Sequence, residues 1–171
     1  GYWWSNTRMQ KVSREIRCSS LQWLPHNDSF PGSHPLAVGP LGYNGSKAAM
    51  ELISKADVVL ALGTRLNPFS TLPGYGIDYW PKNATIIQVD VNPDRIGLTK
   101  KVTVGICGDA KQVAQQILDK LSSDAGNSGR DERKNLIHKT KSAWLQTLAG
   151  LDHEEDDPGT VWNKEARERD K

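Results

Sequence analysis

The run Asp57-Val-Val-Leu-Ala-Leu-Gly63 places five consecutive apolar side chains between a charge and a glycine. A strand with one wet face alternates polar and apolar residues, so an unbroken run of this length is expected to be a β-strand covered on both faces. Thr85-Ile-Ile-Gln-Val-Asp90 and Lys101-Val-Thr-Val-Gly-Ile-Cys107 read the same way. Buried strands separated by helix-sized segments specify an α/β fold with a parallel sheet, joined by right-handed crossovers and flanked by helices. The intervening helices are legible. Ser46 is a suitable N-cap for a short helix to about Lys55, with Ala48, Ala49, Met50, Leu52 and Ile53 on its apolar face. Asp109 caps a second, in which Val113, Ile117 and Leu121 recur every four residues beside Ala114 and Leu118. A polar linker at 122–130 precedes a third helix over 131–151, marked by Leu136, Ile137, Trp144, Leu145, Leu148 and Leu151. Residues 64–84 read as a long Pro/Gly/aromatic loop, and 152–171 as a charged linker toward a further domain.

At 171 residues the chain is long enough for one α/β core and short for two. Its formal charge of +2 gives no field that favours nucleic acid or an anionic membrane surface. Cys18 and Cys107 have no metal or redox spacing, and no apolar run approaches the roughly 20 residues of a membrane span. These features fit a reducing, cytoplasmic setting, and the lack of Met at position 1 suggests a fragment. Residues 1–25 scatter Trp3, Trp4 and Trp23 among polar residues without period, so no element is expected before His26. Residues 26–45, HNDSFPGSHPLAVGPLGYNG, also lack helical or strand periodicity. Their density of His, Asn, Asp, Gly and Pro marks them as a functional loop.

In open parallel sheets ligands bind outside the carboxyl ends of the strands. Here those ends are Gly63-Thr64-Arg65, Asp90-Val91-Asn92-Pro93 and Gly108-Asp109. They suit a nucleotide: glycine for backbone approach, Arg65 for a phosphate, Asp90 or Asp109 for a ribose hydroxyl or an amine. The local alternative is equally open, with Asp109 a helix cap, Asp90 the start of an Asx turn and Gly63 a tight turn. Gly39, Gly42 and Gly45 form G-x-x-G-x-x-G, which is not the dinucleotide fingerprint. Gly45 nevertheless precedes a helix N-terminus, where an anion is favoured. His26, Asn27, Asp28 and His34 match no common zinc spacing, and serve better as hydrogen-bonding or acid/base groups. With no GxSxG elbow and no P-loop, the chain reads as a binding domain without its own catalytic centre.

Four motifs in order, His34-Pro35-Leu36 leading into the glycine turn, Gly63-Thr64-Arg65, Asp90 through Gly97, and Gly108-Asp109, resemble the Rossmann-like central domain of thiamine-diphosphate-dependent enzymes of the acetolactate synthase and pyruvate oxidase superfamily. The resemblance covers about residues 26–121. The stretches HNDSFPGSHPL and GPLGYNGSKAAMELI are most similar to its acetyltransferase branch, which turns sulfoacetaldehyde and phosphate into acetyl phosphate and sulfite. The resemblance implies thiamine diphosphate and Mg²⁺ in a full-length parent, held by flanking domains absent from this chain, which alone is expected to be inert. It also implies a homodimeric or tetrameric parent. In flavin-containing relatives the positions matching Gly42, Gly45, Gly63, Arg65, Asp90 and Asp109 hold FAD. Tyr43-Asn44 replaces their Met-His, so FAD is not expected here and those six positions are read as a nucleotide-binding remnant. His26, Asn27 and Ser29 are expected to face substrate, donating hydrogen bonds to a sulfonate or phosphate.

The family places a helix and an apolar strand directly before His26, where this chain has CSSLQWLP. Codons for Asp-Ala-Pro-Val-Cys-Asn-Gly-Tyr, read out of register, give Cys-Ser-Ser-Leu-Gln-Trp-Leu, which is residues 18–24. We therefore read residues 1–25 as frame-shifted relative to the family.

Overall fold

The computed structural model describes residues 20–23, 30–42, 45–73, 75–121 and 130–151. In chain order the elements are β1 (Ser20–Trp23), β2 (Ala37–Leu41), α1 (Lys47–Ser54), β3 (Val58–Leu62), β4 (Thr85–Asp90), β5 (Val104–Cys107), α2 (Ala110–Leu121) and α3 (Arg130–Leu151). All strand pairs are parallel. The three apolar runs form one sheet in the order β3-β4-β5, flanked by helices as expected. In-register pairing joins Val58 to Thr85 and Leu62 to Val89, then Ile87 to Val104 and Asp90 to Cys107.

Three expectations are corrected. An element does precede His26: β1 pairs with β2, with an irregularity between Ser20 and Gln22. The supposedly aperiodic stretch 26–45 contains β2. Its Gly39-Pro40 pair hides the strand pattern, and proline is tolerated there because β2 lies at the edge of a two-stranded sheet. The third correction concerns β3, which is not covered on both faces. Only Ala61 is buried, while Val58 is 57% exposed. β4, between two neighbours, holds the buried residues Ile86, Gln88, Val89 and Asp90.

The caps follow the sequence. The Ser46 hydroxyl oxygen accepts from Ala49 N–H at 3.3 Å, and an Asp109 carboxylate oxygen accepts from Gln112 N–H at 2.9 Å. The main core joins Leu36, Val38 and Leu41 to Ala49, Met50, Leu52 and Ile53 of α1, with Tyr79 and Ile137 and with Val59 packed beside them. Thus α1 packs against residues of both sheets, and the loop and α3 each insert one large side chain. Ala114 and Leu118 of α2 pack on Leu60 and Leu62, and Val113 and Ala110 pack with Val89.

Candidate functional site

The carboxyl ends of the three central strands lie side by side and are tied by backbone bonds. Gly63 N–H donates to the Val89 carbonyl at 2.8 Å, and Gly108 N–H donates to the Asp90 carbonyl at 3.0 Å. Gly63 turns at φ 63°, which a residue with a Cβ adopts only at a cost, so the chain can leave β3 abruptly. Beyond it, Leu66 N–H donates to the Thr64 hydroxyl at 3.3 Å. Arg65 is exposed and free to meet an anion.

Gln88, a residue not among the expected site positions, organises this edge. Its side chain is 1% exposed on β4. Nε2 donates to the carbonyls of Thr64 at 2.9 Å and Arg95 at 3.2 Å, while Oε1 accepts from Gly97 N–H at 2.9 Å. One amide thus fixes both the loop after β3 and the turn after β4. The only signal in the sequence was a glutamine inside an apolar run.

The two acids are engaged locally. Asp90, 4% exposed, accepts from Asn92 N–H at 2.9 Å, and Asn92 in turn accepts from Asp94 N–H at 3.0 Å. Asp109 is the cap described above. The Asx turn and the helix cap, left open beside the ligand reading, are therefore both present.

The glycine turn is bonded elsewhere. Gly42 has φ 124°, and Gly45 N–H donates to the Gly42 carbonyl at 2.7 Å. A Cβ on Gly45 would lie 2.5 Å from the Pro40 carbonyl oxygen and 2.8 Å from that of Gly42. The chain's own backbone fills the space, which accounts for glycine without a ligand. The Tyr75 hydroxyl donates to the Gly45 carbonyl at 3.3 Å, and the Tyr75 ring meets Trp144 edge-on at 5.6 Å. His34 is tied into its own turn, with Nδ1 accepting from Leu36 N–H at 3.2 Å. His26, Asn27 and Ser29 lie outside the described residues.

Among the described residues no group of His, Cys, Asp or Glu could hold a metal ion. A metal-bridged diphosphate needs a cluster of hard oxygen ligands, and the strand-end carboxylates are spread over a turn and a cap. The described residues therefore do not fit thiamine diphosphate with its Mg²⁺.

The family model for the central domain of thiamine pyrophosphate enzymes matches residues 5–117. This chain belongs to that family. The central domain's most similar relatives include the probable sulfoacetaldehyde acetyltransferase of Rhizobium meliloti, 79% identical over 94% of this chain and 27% of the relative. The sulfoacetaldehyde acetyltransferase of Roseovarius nubinhibens is 77% identical over 83% of the chain and 24% of the relative. A more distant relative, the probable acetolactate synthase large subunit of Methanocaldococcus jannaschii, is 34% identical over 86% of the chain and 22% of the relative. The central domain thus spans about a quarter of the length of the relatives it matches. No helix among the described residues is long and apolar enough to cross a membrane.

Proposed function

We propose that this chain is the central domain of a thiamine-diphosphate-dependent acetyltransferase that converts sulfoacetaldehyde and phosphate into acetyl phosphate and sulfite, in the cytoplasm and within taurine metabolism. The supporting observation is the drop in identity from 79% with a probable sulfoacetaldehyde acetyltransferase to 34% with a probable acetolactate synthase subunit. In the full enzyme, a homodimer or tetramer, thiamine diphosphate and Mg²⁺ would be held by flanking domains and would supply the nucleophilic chemistry. The central domain's part is positional. Its strand-end loops are braced by Gln88, and residues 26–29 lie between β1 and β2 in the chain.

His26, Asn27 and Ser29 face the anionic substrate in this reading, each charge-assisted hydrogen bond contributing roughly 1.5–3 kcal/mol. The remnant positions Gly42, Gly45, Gly63, Arg65, Asp90 and Asp109 hold no flavin. The Tyr43-Asn44 pair, standing where flavin-containing relatives carry Met-His, supports this reading.

The test uses the full-length protein with thiamine diphosphate and Mg²⁺, assayed for acetyl phosphate and sulfite. Turnover of sulfoacetaldehyde is expected only with phosphate present and without added FAD. The isolated chain is expected to be inactive. Acetolactate formation from pyruvate with FAD dependence, and no acetyl phosphate, would replace this reading with the acetolactate-synthase one. His26→Ala and Asn27→Ala in the full-length enzyme are expected to raise KM for sulfoacetaldehyde or phosphate about tenfold or more each, the equivalent of one such bond.

A further inference from the structure

Among the described residues two that carry a Cβ stand in the left-handed region, Leu66 at φ 50° and Tyr75 at φ 52°, and both lie in the 64–84 loop. A left-handed backbone crowds Cβ against the following carbonyl oxygen, so such a residue is strained unless its surroundings hold it there. Leu66 is held by burial. It is 8% exposed, packs with Ala61 and Ile86, and its N–H donates to the Thr64 hydroxyl. Tyr75 has no such support, being 56% exposed. Gly76 follows it at φ 70°, so the chain takes two left-handed steps in succession before Ile77 and Tyr79 return it to the main core.

The strained backbone at Tyr75 makes two contacts possible, both with elements outside its own loop. The hydroxyl donates to the Gly45 carbonyl, immediately before the Ser46 cap of α1, and the ring meets Trp144 of α3 at an interplanar angle of 66°. Side-chain direction follows φ, so relaxing residue 75 to a right-handed backbone carries the ring away from both partners together. Ile137 in the main core and Lys141 at the His34 carbonyl fix the earlier part of α3, whereas residues 145–150 are exposed. Trp144 is therefore the last point at which α3 meets the rest of the described chain. A left-handed tyrosine costs about as much as one hydrogen bond or one aromatic pair returns. Two contacts against one strain leave the held state favoured by only roughly tenfold.

We propose that Tyr75 is a strained latch with two states. In one it joins the 64–84 loop, the glycine turn and the later turns of α3. In the other its backbone relaxes to negative φ, and the Gly45 carbonyl and Trp144 are released in one step. Displacing α3 at Trp144 thereby loosens the glycine turn, and gripping that turn steadies α3, because coupling between two sites is reciprocal. The inference does not depend on which acyl donor the enzyme uses.

Residue-resolved NMR on this chain tests it, with Tyr75→Phe, which removes the hydroxyl and keeps the ring, with Trp144→Ala, and with the double variant. The intraresidue amide–Hα cross-peak of residue 75 reports the sign of φ, being strong only when φ is positive. Exchange of the Gly45 and Ser46 amides, which donate to the Gly42 and Pro40 carbonyls, reports the glycine turn. Each single variant should weaken the cross-peak and speed exchange at Gly45 and Ser46 about fivefold, and Tyr75→Phe should also shift the Trp144 indole signals. The double variant should stop at about tenfold, the ceiling set by a fully open latch, whereas independent contacts would multiply to about 25-fold. A residue 75 that stays left-handed in both single variants overturns the proposal. So does exchange at Gly45 and Ser46 that Trp144→Ala leaves unchanged, or that multiplies in the double variant. Should Trp144→Ala detach α3 altogether, seen as lost protection at the Lys141 and Ser142 amides, Trp144→Leu takes its place and the same outcomes decide.

Discussion

Gln88 shows how much one side chain can hold when its partners are backbone. It satisfies two carbonyls and one N–H across two loops from a buried position. Gln88→Met preserves volume and removes all three bonds, leaving groups that find no replacement inside the protein. The expected loss is about 2–4 kcal/mol of unfolding free energy, read by urea denaturation. A loss under about 0.5 kcal/mol would mean that both loops rearrange to water. Tyr79 offers a second test. It is 1% exposed, and burial, which penalises the phenolate, pushes its pKa up to about 12 from 10.0. Above pH 10 the unfolded chain releases this proton and the folded chain keeps it, so stability falls as pH rises. The loss is about 2–3 kcal/mol by pH 12. Absorbance titration of tyrosinate should show one residue ionising about two units later than the rest. Neither residue could be found by composition alone. Gln88 reads as a polar interruption of an apolar run, and Tyr79 lies in a stretch that Pro and Gly mark as loop.

At the scale of elements, legibility followed the length of the pattern. β3, β4, β5 and all three helices were readable because the strands carry apolar runs, broken in β4 by Gln88, and the helices carry apolar residues at helical spacing. β1 and β2 were not, because four- and five-residue strands give too few positions to establish a period and Gly39-Pro40 interrupts β2. At the site, the local roles of Asp90 and Asp109 could be read from spacing, whereas the glycine turn is also held by Tyr75, which lies 30 residues from Gly45 in the chain. β1 also bears on the reading of residues 1–25 as frame-shifted. It pairs with β2 in an irregular register between Ser20 and Gln22, and the family match itself begins at residue 5. Sequencing the coding DNA is expected to reveal a single-base insertion or deletion upstream of His26. Restoring the frame should regularise that pairing and raise Tm. An undisturbed frame across residues 1–26 would refute this.

On the scale of the whole molecule, the core does not end where the family match ends. The match stops at residue 117, yet α3 contributes Ile137 to the main cluster, sets Trp144 against Tyr75 and places Lys141 Nζ, which donates to the His34 carbonyl at 3.3 Å. Truncation after Leu121 should therefore cost the burial of one large aliphatic side chain and an aromatic pair. Together these are worth about 3–5 kcal/mol. Calorimetry should show Tm falling by about 10 °C, with increased binding of a hydrophobic dye. A Tm within about 2 °C of the parent chain would show that α3 is dispensable. Since Tyr75 also reaches the Gly45 carbonyl, α3 buttresses the glycine turn at one remove. A chimera spliced at the edge of the family match would set one parent's helix against the other's core, so hybrids between relatives should be joined beyond residue 151.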